Sequence, residues 1–249
     1  MERAPGRVLV TGASRGIGRA LAGALAADGF DLVLHARSEA ALEPALAEFG
    51  GSGGRLVAVT GDLANKAEAA EVARKAEAAL GGIDIVVNNA GMAARGLLLE
   101  TSPAALAAVQ AVNVTACLII AQVLVPGMIE RGWGRVVNLG SPYGRVPSPG
   151  LGAYCISKAA LEMLTKAMAL EWAGSGVTAN AIAPIQVLTD LTRPTHEDPS
   201  RRALVDSQIP LGRWAKPEDL FGVLRLLCSP ASDMITGQVL MIDGGRLLL

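Results

Sequence analysis

Aromatic residues, cysteine and histidine are all scarce in this sequence. Aromatic side chains form 3% of the 249 residues although hydrophobic residues form 51%, and this mostly aliphatic content favours helices packed on a parallel sheet over an all-β sandwich. Cys117, Cys155 and Cys228 are too few and too scattered for a disulfide framework, which predicts a reducing compartment. His35 and His196 stand alone, so we expect solvated histidines and no metal site.

An excess of either charge is also missing. Lys and Arg total 22 against 23 for Asp and Glu, and the net charge of −1 gives no electrostatic reason to expect nucleic acid or an anionic membrane as partner. The most hydrophobic segment, residues 116–129, is shorter than the roughly 20 residues that span a bilayer, and residues 1–6 do not resemble a secretory signal. We therefore expect a soluble, cytoplasmic protein.

Short apolar runs alternate with helical patterns along the whole chain. The runs are residues 7–12, 31–36, 55–62, 83–91, 134–141, 177–184 and 239–245, and helices are expected at 16–29, 39–49, 65–80, 103–131 and 153–173. This alternation predicts an α/β fold, a doubly wound parallel sheet of about seven strands with helices on both faces. No linker divides residues 1–249, which we interpret as one domain, and residues 185–210 are expected to form a substrate lid.

The sequence TGASRGIG, residues 11–18, joins the first strand to the first helix. Gly12, Gly16 and Gly18 permit a tight turn and a close backbone approach, and the N-terminus of the following helix offers free N–H groups to a phosphate. A plain strand-to-helix turn is the simpler explanation. The place of the loop after the first strand of a strand–helix–strand unit favours dinucleotide binding instead.

The end of the second strand bears on the choice between NAD and NADP. Residues 35–38 (HARS) contain no carboxylate to accept from a ribose 2′-hydroxyl, and Asp31 lies at the wrong end of the strand. Arg37 and Arg15 could form a cationic pocket for a 2′-phosphate, or be two solvated arginines. We interpret the pattern as favouring NADP(H) over NAD(H).

Several ordered motifs resemble those of the short-chain dehydrogenase/reductase family, over essentially the whole chain. TGASRGIG matches the family's cofactor loop, NNAG at 88–91 matches the motif that ends its fourth strand, and ITGQVLMIDGG at 235–245 matches its C-terminal segment. Asn113, Ser141 and the Tyr154-x3-Lys158 pair also fall at the family's positions. The resemblance is to members of the 3-oxoacyl-(acyl-carrier-protein) reductase and gluconate dehydrogenase type, and it implies a single-domain Rossmann fold.

Tyr154 and Lys158 are four residues apart, so their side chains project from the same face of a helix. A carbonyl that accepts hydride needs a proton on its oxygen, and a tyrosine with a pKa of about 10 is a poor base at neutral pH. A lysine ammonium one turn away favours the phenolate, so we expect it to lower the pKa of Tyr154. Taken singly, the two residues could be a core phenol and a surface cation.

The resemblance implies roles for four residues. Tyr154 would be the acid/base, Lys158 would also hold the nicotinamide ribose, Ser141 would orient the substrate oxygen, and Asn113 would hold a water that links Lys158 to solvent. The cofactor residues that it implies are Gly12, Ser14, Arg15, Gly16, Ile17, Gly18, Arg37, Asp62, Leu63, Asn88, Ala90, Gly91, Tyr154, Lys158, Pro184, Val187 and Thr189. Asp62 could equally be the N-cap of the next helix.

Two positions depart from the family's pattern. Ile185 stands where the family usually has a glycine beside the nicotinamide, so its side chain must point away from the ring or narrow the pocket, and we expect a change there to alter substrate range more than NADPH affinity. Ser175 stands where carrier-protein reductases tend to carry a basic residue, which weakens that interpretation. The candidates for the substrate loops are Met92, Pro142, Tyr143, Gln186 and His196.

The helical segments 103–131 and 154–172 are apolar on more than one side, which predicts a helix-packed homo-oligomer, and the resemblance suggests a homotetramer. An unusually apolar monomer is the alternative. The predicted function is reversible hydride transfer by an NADP(H)-dependent ketoreductase, acting on a small-molecule ketone or secondary alcohol such as a 3-oxoacyl thioester or a sugar-acid type ketone. A catalytically silent NADP-binding sensor or scaffold is the other hypothesis, against which the complete set of four site residues argues.

Overall fold

Seven parallel strands form one sheet in the computed structural model, which describes residues 6–189 and 192–249. The strands are β1 (Arg7–Val10), β2 (Asp31–Ala36), β3 (Leu56–Thr60), β4 (Ile85–Asn88), β5 (Gly134–Leu139), β6 (Val177–Pro184) and β7 (Val239–Ile242). Their order is β3-β2-β1-β4-β5-β6-β7. The chain moves outward from β1 to β3 and then restarts at β4 on the other side of β1, so the order reverses between β1 and β4. The predicted α/β fold is confirmed.

Helices connect the strands as the sequence pattern predicts, with some shifted ends. They are α1 (Gly16–Ala27), α2 (Glu43–Phe49), α3 (Lys66–Leu80), α4 (Pro103–Gln110), α5 (Ala116–Glu130), α6 (Gly152–Glu171), α7 (Arg193–Glu197), α8 (Pro199–Asp206) and α9 (Phe221–Leu227). Helix α2 begins at Glu43 rather than near residue 39. The expected lid, residues 185–210, contains α7 and α8. Residues 190 and 191 of that lid, like residues 1–5, lie outside the described residues.

Both faces of the sheet are covered by helices. Successive side chains of β1 point to opposite faces: Val8 and Val10 pack in the layer that holds α1 and α9, whereas Leu9 packs in the layer that holds α3 and α5. All three side chains are fully buried. This two-sided burial explains why the strands read as continuous apolar runs rather than alternating ones.

The helix expected over 103–131 is interrupted. Ser102 caps α4 by accepting from the Ala105 N–H at 3.1 Å, but residues Ala111–Thr115 form a π-helical turn before α5 begins. A π-turn inserts one extra residue and re-aims the side chains within it, and such turns are frequent at functional sites. Asn113 lies in this turn.

The segment Pro103–Glu130 forms 28 residues of nearly continuous helix, which by length and composition is enough to cross a membrane. The expectation that the hydrophobic segment is too short to span a bilayer was therefore wrong, because the helix extends from residues 116–129 further toward the N-terminus. Core helices of soluble proteins pass the same test. Here Ile120 and Leu124 are buried in the core layer shared with α3.

Candidate active site

The predicted site residues meet at the carboxyl edge of the sheet, around the reversal between β1 and β4. The glycine loop follows β1, the NNAG segment begins at the last residue of β4, Ser141 follows β5 and Pro184 ends β6. Because parallel strands share one carboxyl edge, these loops lie side by side although their sequence positions are far apart. In open α/β sheets this crevice is where ligands bind.

The glycine loop is packed tightly at two of its glycines and left open at the third. A Cβ on Gly18 would lie 2.2 Å from the Gly12 carbonyl oxygen, and one on Gly12 (φ +66°) would lie 3.0 Å from the Cα of Ala90. On Gly16 (φ +56°) the nearest atom to a Cβ would be Cγ2 of Thr189, at 3.6 Å. Gly16 therefore faces the cleft between the loop and Thr189, and the loop has the form that a dinucleotide pyrophosphate needs.

Asn89, which the sequence analysis missed, fastens this loop to the end of β4. Its side-chain amide donates to the carbonyl oxygens of Thr11 (2.9 Å) and Gly12 (3.1 Å), while Oγ1 of Thr11 accepts from the N–H groups of residues 89 and 90, both at 3.0 Å. The neighbouring Asn88 is buried and its side chain donates to Asn138 on β5 at 2.9 Å. Of the two asparagines, Asn89 is thus the one whose side chain shapes the loop.

His35 is buried, so the expectation of a solvated side chain was wrong. Only 2% of it is exposed, at the end of β2. Its Nδ1 lies 3.3 Å from the Gly12 amide nitrogen and its Nε2 lies 3.0 Å from the carbonyl oxygen of Gly61. The other histidine, His196 on α7, is half-buried with its ring edge-to-face against Trp214 at a centroid distance of 5.2 Å.

The positions expected around the adenosine end have mixed surroundings. Asp62 is not the cap of α3, because Asn65 takes that place by accepting from the Ala67 N–H at 2.9 Å. Arg15 and Arg37 are exposed, and neither forms an ion pair with any residue of the described segments 6–189 and 192–249. Two cations are therefore available here to an anionic group.

Tyr154 and Lys158 come together on the first turns of α6, as their spacing predicts. The Lys158 Nζ lies 5.5 Å from the centroid of the Tyr154 ring and donates to the carbonyl oxygen of Leu139, at the end of β5, at 2.6 Å. Ser141, two residues after Leu139, is buried, and its hydroxyl is close enough to the Tyr154 phenol to lower the pKa of that phenol. The phenol, the hydroxyl and the ammonium group therefore share one side of the carboxyl edge.

Burial governs the protonation of this pair. It raises the pKa of the Tyr154 phenol, and the hydrogen bond with Ser141 offsets only part of that rise. Burial also lowers the pKa of Lys158 from 10.5 to about 8. The expectation that Lys158 lowers the pKa of Tyr154 is thus wrong for this structure, because burial has the largest effect on the phenol and Lys158 has no resolved effect on it.

Asn113 ties the loop after NNAG to α6. Its side-chain amide donates to the Met92 carbonyl oxygen and to Oγ of Ser157, both at 2.9 Å, and its Oδ1 accepts from the Met92 N–H at 2.8 Å. Ser157 in turn donates to the carbonyl oxygen of Tyr154 at 2.7 Å. A Cβ on Gly91 would lie 3.3 Å from Oδ1 of Asn113 and 3.9 Å from Nζ of Lys158, so the glycine keeps the space between these two residues open.

The segment after β6 points its side chains alternately into the core and toward the site. Ile185 is 6% exposed and packs in the core beside Val187, so its side chain does not narrow the cleft. None of the described non-glycine residues has a positive φ, so Ile185 carries no such strain. Gln186, which lies between Ile185 and Val187 in the sequence, projects to the other side, where its Nε2 donates to Oη of Tyr143 at 2.6 Å. Tyr143 donates its own N–H to Oγ of Ser141 at 3.2 Å.

A doubly wound sheet with a glycine loop at its reversal point and a tyrosine–lysine pair beside it defines a dinucleotide-binding oxidoreductase. The family model described as enoyl-(acyl carrier protein) reductase matches residues 12–246. The chain belongs to the short-chain dehydrogenase/reductase family, and it is an enzyme of the dehydrogenase and reductase class.

Named relatives differ in substrate. The chain is 36% identical to gluconate 5-dehydrogenase of Gluconobacter oxydans over 96% of this chain and 93% of the relative. It is 37% identical to 3-oxoacyl-[acyl-carrier-protein] reductase of Synechocystis over 96% of each chain. Its structure is similar to that of gluconate 5-dehydrogenase from Burkholderia cenocepacia in complex with NADP and tartrate, with a TM-score of 0.92, 35% identity and coverage of 99% of this chain and 97% of that one.

Proposed function

We propose that this protein is an NADP(H)-dependent oxidoreductase that interconverts a ketone and a secondary alcohol. The observation that carries the proposal is the meeting of Tyr154, Ser141 and Lys158 at the carboxyl edge of the sheet, beside an open glycine loop. Proton exchange at a carbonyl oxygen needs an acid within reach of that oxygen, and the buried Ser141 hydroxyl beside Tyr154 would hold the oxygen there.

The cofactor site fits a dinucleotide phosphate. NADP(H), when bound, supplies or accepts the hydride. The open face at Gly16 and the N–H groups at the start of α1 suit the pyrophosphate, and the exposed guanidinium groups of Arg15 and Arg37 suit a ribose 2′-phosphate. The similar gluconate 5-dehydrogenase structure with NADP supports this choice over NAD(H).

Each of the four proposed catalytic residues would take part in transferring one proton. They are Asn113, Ser141, Tyr154 and Lys158. In the reduction, Tyr154 donates its proton to the carbonyl oxygen that Ser141 orients, and in the reverse reaction the phenolate accepts it from the alcohol. The raised pKa of Tyr154 keeps the phenol protonated at neutral pH, which suits the reduction. Lys158, whose pKa of about 8 lies near the working range, would return the proton to Tyr154 and regain one from solvent through a water that Asn113 holds.

The substrate would be a 3-oxoacyl thioester or a sugar-acid type ketone, the two classes named among the relatives. The bond between Gln186 and Tyr143 favours the second class, because it puts an amide and a phenol beside Ser141. A ligand that leaves polar groups of a pocket without hydrogen-bond partners binds weakly. A substrate rich in hydroxyl groups therefore suits the surface formed by Gln186 and Tyr143 better than an alkyl chain does.

We also propose a soluble, cytoplasmic homotetramer. Ile156, Met163 and Leu170 recur every seven residues along α6 and remain 46%, 63% and 79% exposed, and Leu118 and Ile129 on α5 are exposed as well. An apolar stripe on a helix whose opposite side is already buried calls for a second protein surface. Another copy of this chain offers the same stripe, and two-fold pairing of like helices would cover it.

The test is a panel of ketones, including 5-ketogluconate and a 3-oxoacyl thioester, assayed for loss of NADPH and NADH absorbance. We expect turnover with NADPH, and a loss of about 10²–10⁴-fold in kcat for Tyr154→Phe, since that is the typical contribution of a general acid. Circular dichroism of the variant should match the wild type. Turnover that survives in Tyr154→Phe would reject the assigned acid, and binding of NADPH without turnover of any ketone would reject the activity.

A further inference from the structure

The ring of His35 connects two segments that come from different strands. On one side Nδ1 accepts from the amide of Gly12, the first glycine of the loop after β1. On the other side Nε2 lies 3.0 Å from the carbonyl oxygen of Gly61, which follows β3 and precedes Asp62. The main chain of His35 also accepts from the next loop amide, that of Ala13, at 2.9 Å. One residue therefore holds two consecutive amides of the glycine loop.

These contacts define a single protonation state of the ring. Gly12 can only donate and Gly61 can only accept, so Nδ1 must be unprotonated and Nε2 must carry the hydrogen. Burial lowers the pKa of His35, and the bond to Gly61 and the charge of Asp62 act in the opposite direction. Asp62 is the charged group with a resolved effect on the ring, while the side of β1 presents backbone amides.

The bond to Gly12 acts on the shape of the loop rather than on a ligand. With its N–H given to His35, Gly12 keeps its positive φ and its close fit to Ala90, and Gly18 stays packed on its carbonyl group. The amides further along, around Gly16, are the ones left to face the cleft. Without an acceptor at Nδ1, a partly buried N–H would be unpaired at the point where the loop turns.

We infer that His35 is a positioning residue for the cofactor: its neutral ring fixes the glycine loop against the end of β3 and thereby sets the affinity for the dinucleotide without taking part in the chemistry. The inference rests on the proposed NADP(H) function. His35 was not among the cofactor residues that the family resemblance implied.

Three substitutions separate the two bonds of the ring. In His35→Asn, the side-chain oxygen occupies the place of Nδ1 and can still accept from Gly12, whereas in His35→Gln the amide reaches the place of Nε2 and serves Gly61 only. His35→Ala removes both. Loss of the acceptor for a partly buried amide should weaken binding, so we expect the Kd for NADP⁺, measured by calorimetry, to rise about tenfold (about 1.4 kcal/mol) in the Gln and Ala variants and to change less than about threefold in the Asn variant.

A KM-against-kcat comparison and a pH series complete the experiment. KM for NADPH should follow the Kd values while kcat stays within about twofold, as expected for a loss of uniform binding. A protonated ring cannot accept from Gly12, so wild-type affinity should fall in acid. Because burial lowers the pKa of His35, the fall should come at a pH below 6.5, the ordinary pKa of histidine. The 2′-phosphate also titrates, at about pH 6, so the readout is the ratio of Kd between wild type and His35→Asn, whose amide does not titrate. That ratio should rise in acid.

The outcomes are distinct. Equal Kd values for wild type, Gln and Ala variants, all folded by circular dichroism, would overturn the role of His35. Equal losses in the Asn and Gln variants would overturn the role of the Gly12 bond. A wild-type protein that binds neither NADP⁺ nor NAD⁺ would instead reject the proposed function.

Discussion

The two edges of the sheet use charged side chains in opposite ways. At the amino edge, Asp84 before β4 accepts from Arg7 at 2.8 Å and from Arg131 at 3.2 Å, and the buried Arg135 pairs with Asp233. At the carboxyl edge, Lys158 is 4% exposed and donates to the carbonyl oxygen of Leu139 rather than to a carboxylate. The buried charges at the amino edge are paired with opposite charges, whereas the buried ammonium group of Lys158 at the carboxyl edge bonds to a neutral acceptor.

The protonation of the two edges shows the same contrast. Burial alone would raise the pKa of Asp84, but its hydrogen bonds with Arg7 hold that pKa below its usual value. For Lys158 burial prevails, and the pKa falls to about 8. The lowered pKa of Asp84 contributes stability at neutral pH, whereas the lowered pKa of Lys158 costs stability, and buried groups with such shifted pKa values are typical of functional sites.

Replacing Lys158 tests the role of the unpaired buried charge at the carboxyl edge. We expect Lys158→Met to lose about 100-fold or more in kcat, because the general acid then lacks its proton source. The variant should also be more stable than the wild type at pH 7, by about 1–3 kcal/mol, since a buried amine is replaced by an apolar chain of similar length. Urea unfolding and ketone reduction by the same preparation measure both effects.

The stability advantage of Lys158→Met over the wild type should depend on pH in a defined direction. The folded-state pKa of Lys158, about 8, lies below its unfolded value of 10.5, so the unfolded chain holds more protons between these two values. Wild-type stability should therefore rise from pH 8 toward pH 10.5 through this group, and the advantage of Lys158→Met should shrink over the same interval. A constant advantage would show that the folded and unfolded states hold the same number of protons at Lys158, so that its pKa is not lowered by folding.

At the amino edge we expect the reverse result, a loss of stability without a loss of activity. Asp84→Asn should lower the free energy of unfolding by about 2–3 kcal/mol, because it leaves Arg7 and Arg131 without their shared carboxylate, yet kcat/KM should stay within about twofold. The contribution of Asp84 is present above its unfolded pKa of 3.8 and is lost as the pH falls through its lower folded pKa, so the two proteins should converge in acid.

Asp219 offers a matched control for this effect. It also pairs with an arginine, Arg213, at 2.6 Å, but their side chains are 29% and 52% exposed. Exposed pairs contribute roughly 0–1 kcal/mol, so Asp219→Asn should be nearly neutral. An equal loss in both variants would mean that burial at the amino edge has no special weight.

The sequence was a good guide wherever a periodic pattern or a motif decides the structure. The alternation of strands and helices predicted the sheet, because burial on both faces makes each strand a continuous apolar run. The four-residue spacing predicted that Tyr154 and Lys158 share one side of α6. Both are local rules that the surrounding fold does not change.

What the sequence did not reveal depends on contacts between distant segments. The π-turn at Asn113 was invisible because it differs from an α-helix by one residue in its hydrogen bonds. His35 was expected in solvent because its burial comes from β1 and β3, which no local pattern reports. The direction of the Tyr154 pKa was wrong for the same reason: burial is set by the whole site.

The smallest expected effect concerns two neighbouring residues at the carboxyl edge, one in the core and one in the candidate site. Ile185 and Gln186 are neighbours, but Ile185 packs in the core and Gln186 contacts Tyr143. Ile185→Val should cost about 0.5–1.5 kcal/mol of stability, the usual loss for one buried methyl group, and leave the ratio of kcat/KM between a hydroxylated and an alkyl ketone unchanged. Gln186→Leu should shift that ratio toward the alkyl ketone with little loss of stability. This replaces our expectation that position 185 controls substrate range, and a changed ratio in Ile185→Val would restore it.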